Sequence, residues 1–427
     1  MGHWFRILAA IGLAAAAVAA TAAPATLYGA RGLQFEGNQV EATRDGGSVV
    51  VGTQSVARLG VLVMRFDPQG RPLWTRLLEL PGGHVSGLRV REAPDGFVVL
   101  ALVGLATDIE PWDMLVAKLD AAGTVQWQRV FQGGGTSGFL PEDLAVGADG
   151  SSVIAATQFG ASQPGWLARL APDGSVAWQQ TLSTSVGALQ MLPDGGTLAA
   201  AGGTLLQLDA AGQPISIRSL VIDGTGATIG AIRPWADGWL LTGWIGFGEF
   251  GARPWLLRVD AGWAPLWSRL YSAPGCGELM LALDARPMAG GILLTTQSAF
   301  CGDTSVAKLD ATGALLWQGT QDYVDLDPVM HVLSYAPAPD GGFVATGTVA
   351  DFDLPVRLLM MRADAAGNLE RCRAVKQHED RLVVVPVPPV VQWQAGSVVL
   401  SPDATEHAPS SATSRSPRLQ TANACRL

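Results

Sequence analysis

Charge, cysteine, histidine and long apolar runs are all scarce in this chain of 427 residues. Charged residues make up 15% of the sequence, and the five histidines are scattered without an H-E-x-x-H or H-x-x-x-H pair. That absence argues against a zinc site. No serine lies in a G-x-S-x-G pattern, so the nucleophile elbow of the α/β-hydrolases is also excluded.

Positive charge is in deficit, because 28 Lys and Arg residues face 37 Asp and Glu residues and the formal net charge is −9. A net acidic protein attracts neither nucleic acid nor an anionic membrane surface, so neither is expected as a partner. After the first residues no stretch reaches the roughly 20 apolar residues that a membrane-spanning helix needs. We therefore expect no membrane span.

The N-terminus has the features of a signal peptide. Arg6 precedes an apolar stretch from Ile7 to Ala20, and a small-residue A-x-A site follows at Ala20-Thr21-Ala22. The pattern predicts cleavage after Ala22 and export to the periplasm or the extracellular space. The alternative is an uncleaved anchor, but the apolar stretch is short for a span.

An Asp-Gly turn recurs along the chain at steps of 43 to 54 residues. Periods of this size indicate a repeat fold. A second turn phrase, D-x-x-G-x-x-x-W, follows most copies, as in "KLDAAGTVQW". The Asp-Gly copies are Asp45-Gly46, Asp95-Gly96, Asp149-Gly150, Asp194-Gly195, Asp237-Gly238, the variant Ala289-Gly290, and Asp340-Gly341.

Each repeat contains four short apolar or alternating runs, which predict four antiparallel strands. Repeated four-stranded sheets predict an all-β fold, a β-propeller with seven blades, since one such sheet cannot bury both faces until neighbours stack on it. The blades cover residues 28–376, the first over 28–79 and the last over 321–376. The sequence of residues 377–400 predicts extra strands, which form either an added hairpin or a partial eighth blade. The Ser/Thr/Pro-rich tail, 401–427, is predicted to be disordered.

Five repeats have a tryptophan on the fourth strand, where a large flat side chain fills the wedge between diverging sheets. We expect these residues to pack between adjacent blades, with ligand stacking as the alternative. They are Trp74, Trp127, Trp178, Trp267 and Trp317.

The phrase K-L-D-x-x-G-x-x-x-W, preceded by D-G-G-F-V-x-x-G, resembles the secreted bacterial propeller repeats of the delta-sixty type. It is also similar to a shortened tryptophan-docking repeat of the quinoprotein-like (PQQ-like) propellers. The resemblance covers nearly all of residues 34–375 and implies the fold. It implies no cofactor, because quinoprotein repeats have their glycine one residue further from the aspartate.

The two repeated turns lie on one face of such a propeller, so the variable loops and the blade-to-blade crossings share the other. We expect a ligand on this variable-loop face, near Trp112, Trp244, Phe247 and Phe352. The alternative is that these aromatic residues cap the strand ends of the core.

An exported protein with four cysteines is expected to oxidise them. Cys276 and Cys301 are equally distant from the turn at Ala289, which predicts a disulfide between them. By exclusion, Cys372 pairs with Cys425.

The same symmetry about Asp340 predicts that Asp327 and Asp353 face each other. Three more aspartates crowd the spot, and opposed like charges are destabilising unless something compensates them. The two interpretations are a bound Ca²⁺ ion and a solvated acidic rim. The additional residues are Asp322, Asp325 and Asp351.

The sequence favours a binding or interaction module, expected as a monomer, with an unknown protein, peptide or glycan as partner. The alternatives are a glycan-active hydrolase or lyase with paired acids at the channel mouth, and an envelope scaffold that docks a partner on a blade edge. A deep pocket with paired acids favours catalysis, whereas a flat mouth favours docking.

Overall fold

The computed structural model describes most of the chain from residue 25 onwards. The predicted signal peptide lies outside the described residues. No helix in the described part is long and apolar enough to cross a membrane. The described ranges are 25–55, 59–79, 83–105, 112–132, 138–159, 164–246, 251–272, 280–298, 304–323, 329–351, 354–369, 375–378, 382–385, 389–402, 407–409 and 412–423.

The main body consists of four-stranded antiparallel units, called meanders 1 to 7 here. A first strand, β1, is Thr26–Gly29. Meander 1 is β2 (Phe35–Ala42), β3 (Ser48–Gln54), β4 (Gly60–Phe66) and β5 (Pro72–Glu79); meander 2 is β6 (Gly83–Ala93), β7 (Gly96–Leu105), β8 (Trp112–Asp120) and β9 (Val125–Phe131). Meander 3 is β10 (Phe139–Val146), β11 (Ser152–Gln158), β12 (Gly165–Leu170) and β13 (Val176–Leu182); meander 4 is β14 (Ala188–Met191), β15 (Thr197–Ala201), β16 (Thr204–Leu208) and β17 (Pro214–Ile222).

The remaining meanders follow the same order. Meander 5 is β18 (Thr225–Trp235), β19 (Gly238–Ile245), β20 (Arg253–Asp260) and β21 (Pro265–Ser272); meander 6 is β22 (Met280–Met288), β23 (Gly291–Ser298), β24 (Thr304–Leu309) and β25 (Leu315–Tyr323). Meander 7 is β26 (Val329–Pro337), β27 (Phe343–Asp351) and β28 (Leu354–Ala363), completed by β1. The C-terminal segment has β29 (Val375–His378), β30 (Val383–Val384), β31 (Val391–Ala395), β32 (Leu400–Pro402), β33 (His407–Pro409), β34 (Thr413–Arg415) and β35 (Gln420–Asn423).

The prediction of an all-β propeller with four-stranded antiparallel blades is confirmed. The hydrogen bonds give six sheets rather than the predicted seven, because a short β17–β18 hairpin joins meanders 4 and 5 into one ten-stranded sheet. The first strands contact one another in a closed cycle from β2 through β6, β10, β14, β18, β22 and β26 back to β2. This cycle of first strands surrounds the central channel.

The core lies between consecutive meanders. In the described part, each of seven hydrophobic clusters joins one meander to the next, and the last joins meander 7 to meander 1. Middle strands such as β3 and β4 are buried along their whole length, since a neighbouring sheet covers each face.

The N-terminal strand closes the ring. β1 pairs antiparallel with β28, with Leu27 opposite Leu359, and thus provides the outer strand of meander 7. The predicted first blade began at residue 28, so this boundary is wrong by one strand. Closure through β1 ties the two ends of the ring together.

The C-terminal segment is neither the predicted hairpin nor a partial eighth blade, and its described parts are not disordered. Instead its seven short strands each add a fifth antiparallel strand to a meander, in the reverse order 6, 5, 4, 3, 2, 1, 7. The cause is that every outer strand offers unpaired N–H and C=O groups, and an extended chain satisfies them through its backbone. A polar composition therefore does not prevent ordering here.

The closing tryptophans pack between blades, as predicted. The indole N–H of Trp74 donates to the carbonyl of Ala121 in the next D-x-x-G turn at 2.9 Å. The same contact recurs from Trp127 to Pro172 at 2.8 Å, from Trp178 to Ala210 at 3.1 Å and from Trp317 to Ala365 at 3.0 Å. The turn glycine lies under the ring, which explains why the phrase couples glycine to tryptophan.

We expect Gly174→Ala to destabilise the protein by about 2 kcal/mol more than Gly224→Ala, because overpacking costs about 1–3 kcal/mol. Both glycines have positive φ, 81° and 75°. A Cβ at Gly174 would lie 2.6 Å from the Trp127 ring, whereas one at Gly224 meets nothing within 4 Å. Urea denaturation of both variants measures the difference, and equal losses would contradict the docking role of the ring.

Candidate functional site

The first strands carry a β-bulge at the same place in six of the seven meanders. A bulge inserts one extra residue and redirects the neighbouring side chains. Polar side chains that follow the bulge, such as Gln39, Asp143 and Asp284, line the channel. The register shifts lie between Gly37 and Gln39, Gly87 and Arg89, Pro141 and Asp143, Ile229 and Ala231, Ala282 and Asp284, and Val332 and Ser334.

Part of this polarity is structural, because a first strand has an unpaired edge along the channel. The Gln39 side-chain oxygen accepts the N–H of Val90 at 2.7 Å. Asp143 Oδ2 accepts the N–H of Leu189 at 2.9 Å. Each side chain thus caps the first strand of the next meander, which satisfies backbone donors that would otherwise be unpaired.

A chain of alternating charges crosses the channel. Arg91 contacts Asp143 Oδ1 at 3.1 Å and Glu41 Oε2 at 3.4 Å. Arg286 bonds the same Glu41 oxygen at 2.9 Å. These contacts connect strands β10, β6, β2 and β22, four different meanders.

The chain of ion pairs continues through one more carboxylate. Asp284 Oδ2 accepts bonds from Arg286 Nε at 2.7 Å and from Arg233 Nη2 at 2.8 Å. These ion pairs link six side chains, which form the channel ion-pair network. In order of contact they are Asp143, Arg91, Glu41, Arg286, Asp284 and Arg233.

Two carboxyl groups of the channel have shifted pKa values in opposite directions. Burial raises the pKa of Asp284, but the guanidinium groups of Arg233 and Arg286 outweigh it and hold that pKa well below its usual range. Burial also raises the pKa of Glu142, and there it prevails over the hydrogen bond that Thr157 donates at 3.0 Å. Asp284 is therefore ionised at neutral pH, whereas Glu142 holds a proton to a higher pH than an ordinary glutamate.

A cavity of about 500 Å³ lies on the variable-loop side of this network. Its lining includes Asp143, Asp284, Glu142, Arg89 and Trp244. Asp284 Oδ1 is buried and has no hydrogen-bond partner among the described residues. A buried carboxylate oxygen without a donor is costly, so this atom is a natural acceptor for a ligand or a water molecule.

The four aromatic residues that were predicted to bind a ligand do not share one location in the structure. Trp244 lines the cavity and packs over the bulge, where a Cβ at Gly230 would be 3.1 Å from its ring. Trp112 is half-buried, packs edge-on against Phe159 with ring centroids 5.9 Å apart, and does not line the cavity. Phe247 and Phe352 lie outside the described residues.

The predicted disulfides remain predictions, because all four cysteines, Cys276, Cys301, Cys372 and Cys425, lie outside the described residues. So do Asp325, Asp327 and Asp353. The strands that lead to these positions have a bulge each, and the pairing shifts by one residue after Ala282 and after Val332. The predicted Cys276–Cys301 disulfide and the predicted Asp327–Asp353 pair both assume a constant register counted from the turn. That register does not hold along these hairpins.

The two other predicted metal ligands are described through their backbone alone. Asp322 pairs with Lys376 and Asp351 pairs with Leu354. Among the described residues, no group of three or more His, Cys, Asp or Glu side chains is arranged to hold a metal ion. The calcium site remains a prediction.

Sequence reasoning missed the channel ion-pair network, although a signal was present. Charged residues stand four positions before the Asp-Gly aspartate at Glu41, Arg91 and Arg233, and six positions before it at Asp143. Positions four and six share one face of a strand. Charges at fixed even distances from a repeated turn therefore pointed to the channel.

No family model and no curated protein matches the chain. Among solved structures, a protein of unknown function from Bacteroides caccae is similar at 18% identity, over 58% of this chain and 93% of that chain, with a TM-score of 0.37. The exotype rhamnogalacturonan lyase YesX is similar at 13% identity, over 80% and 73% of the two chains, with a TM-score of 0.40. An exo-β-1,3-galactanase from Clostridium thermocellum is similar at 13% identity, over 80% and 95%, with a TM-score of 0.32. At these TM-scores the likenesses carry no argument about activity.

Proposed function

We propose that this protein is an exported, seven-bladed propeller that binds a small polar ligand in the cavity on its variable-loop face. Each meander would be one blade, and the repeated contact from tryptophan to turn supports a repeat of the quinoprotein-like or delta-sixty type. Export to the periplasm or the extracellular space is supported by the leader sequence. The ligand is an unidentified glycan or a short peptide.

The observation that carries this proposal is that Asp284, whose buried Oδ1 atom has no partner among the described residues, lines a cavity together with Trp244. Ligand sites combine an apolar or aromatic wall with a few polar groups that fix orientation. Here Trp244 offers the aromatic face and Asp284 an acceptor whose position is fixed by two arginines. A donor-rich ligand such as a sugar ring or a peptide amide matches both groups.

A glycan-active hydrolase or lyase is the second candidate, and one observation favours it. Glu142 has a raised pKa and Asp284 a lowered one, the kind of separation that distinguishes a proton donor from an ionised carboxylate. Against it, Arg233 and Arg286 hold the pKa of Asp284 low, which makes this carboxylate a weak base, and Asp143 is paired with Arg91. Binding is therefore the better-supported function.

Docking of a partner on a blade edge is the least supported alternative. In the described residues, the outer strand of every meander already pairs with a strand of the C-terminal segment. An added partner strand would first have to displace it.

Trp244→Ala is the direct test of the cavity. In a glycan and peptide screen followed by calorimetry, we expect this variant to lose about 30-fold in affinity for any ligand found, since an aromatic anchor contributes about 2 kcal/mol. Trp112→Ala, on the same face but outside the cavity lining, is the matched control and should bind normally. Equal losses in both variants, or a loss in Trp112→Ala alone, would move the site out of the cavity. If the protein turns over a bound glycan and Glu142→Gln abolishes that turnover, the protein is a glycan-active enzyme instead.

A further inference from the structure

A second cavity of about 500 Å³ lies at the opposite end of the channel, towards the Asp-Gly turns. It is lined by the ends of the first strands. Pro234, Pro287 and Pro337 occupy the same position on three of these strands, where the channel edge needs no N–H donor and the proline ring stiffens the wall. Proline at this position fixes the backbone φ of three of the strands that form the cavity wall.

The lining of this turn-face cavity contains more arginines than carboxylates, and Asp143 and Asp284 balance three of those arginines from outside the lining. Its charged lining residues are four arginines and two glutamates: Arg44, Arg91, Arg233, Arg286, Glu41 and Glu92. Three of the arginines belong to the channel ion-pair network and come from three different meanders. Their guanidinium groups therefore converge from different directions on one space.

These guanidinium groups keep unused donors among the described residues. Arg233 donates to Ile232 O and Asp284, and Arg286 donates to Asp284 and Glu41. Each guanidinium carries five N–H donors, so each retains some for a ligand. Burial and the charges of Arg233 and Arg286 lower the pKa of Arg91, and Glu41 and Asp143 offset this only in part.

We propose that the turn-face cavity binds a small anion with two or more charged oxygens, such as inorganic phosphate or a short dicarboxylate. Arg91, Arg233 and Arg286 line the site from three meanders, and the exposed Arg44, which lies 3.7 Å from Glu92, lines it as well. Arginine suits this task because its planar fork bonds two oxygens of one anion. The site is separate from the cavity of the proposed function and shares with it only the arginines between them.

Calorimetry on the full chain tests the site, with phosphate and succinate as separate probes and sodium chloride at matched ionic strength as the blank. We expect saturable binding of at least one probe and no saturable signal with chloride. The stronger probe distinguishes a phosphate site from a dicarboxylate site. Arg44→Gln should weaken binding about tenfold, the value of one charge-assisted hydrogen bond. Its side chain is 63% exposed, so the fold should tolerate the change.

Two further variants make the result specific. Arg233→Lys keeps the charge but loses the planar fork, and should also weaken binding at least tenfold. Arg71→Gln removes an arginine that is 75% exposed on a D-x-x-G turn and should change nothing. Trp244→Ala should leave anion binding intact, which separates this site from the proposed function. Absence of saturable binding to both probes, or equal affinity in Arg44→Gln and the unchanged protein, would overturn the proposal.

Discussion

A chain that ends at Leu369 is expected to lose about 5 kcal/mol or more of unfolding free energy and to associate in solution. It lacks the C-terminal segment, whose Leu382 and Val398 are buried in the clusters between meanders 5 and 6 and between meanders 3 and 4. Burial of one such side chain contributes about 1.5–3 kcal/mol. Removal also exposes the outer edges of the sheets, and long unpaired edges are templates for edge-to-edge association.

Urea denaturation and light scattering measure the two effects. Point variants in the full chain separate side-chain burial from edge covering. Val398 is 8% exposed and the adjacent Val399 is 67% exposed, so Val398→Ala should destabilise the protein and Val399→Ala should not. A truncated chain that stays monomeric and equally stable would mean that the segment is not needed to protect the edges.

The fold could be predicted from the sequence because its information is local. The aspartate and glycine of a D-x-x-G turn are a few residues apart, and Asp120 Oδ1 accepts the N–H groups of Ala122 and Thr124 within that turn. The tryptophan of the phrase then meets the same turn one repeat later. One phrase thus encodes both the hairpin and the packing between blades.

The C-terminal segment could not be predicted because it pairs through its backbone. Few of its side chains are specific to the site that they occupy. Arg415, which bonds Glu79 at 2.7 Å, and Trp393, whose ring centroid is 5.9 Å from that of Trp263, are exceptions. Composition distinguishes a polar tail from a core strand, but it does not report the open edges that the rest of the fold provides.

The candidate site was difficult to predict from the sequence for a related reason. Of the predicted loop aromatics, Trp244 lines the channel cavity, but the charged side chains of the channel come from first strands in different repeats. Arg286 and Glu41 are far apart in the sequence and bond at 2.9 Å only when the ring closes. The bulges also shift the register that a simple count from the turn assumes.

Asp284→Ala is expected to cost about 3–5 kcal/mol of unfolding free energy at neutral pH. It removes the carboxylate that bonds both Arg233 and Arg286, and an uncompensated charge inside the protein is strongly destabilising. Arg71→Ala is the control, because its ion pair with Asp67 lies on an exposed turn and such pairs contribute about 0–1 kcal/mol. Equal losses of unfolding free energy in the two variants would mean that the charges of the channel network are as well solvated as those of an exposed ion pair.

The pH dependence gives a second measure of the same network. The folded pKa of Asp284 lies below its unfolded value, so its ionised form stabilises the protein above about pH 4. That contribution is lost as the pH falls through the folded pKa, because the protonated carboxyl no longer compensates the two arginines. The stability difference between the unchanged protein and Asp284→Ala should therefore be constant near neutrality and should narrow below about pH 4. A difference that stays constant down to pH 2, in a protein that remains folded there, would show that the ionised carboxylate of Asp284 does not stabilise the ring.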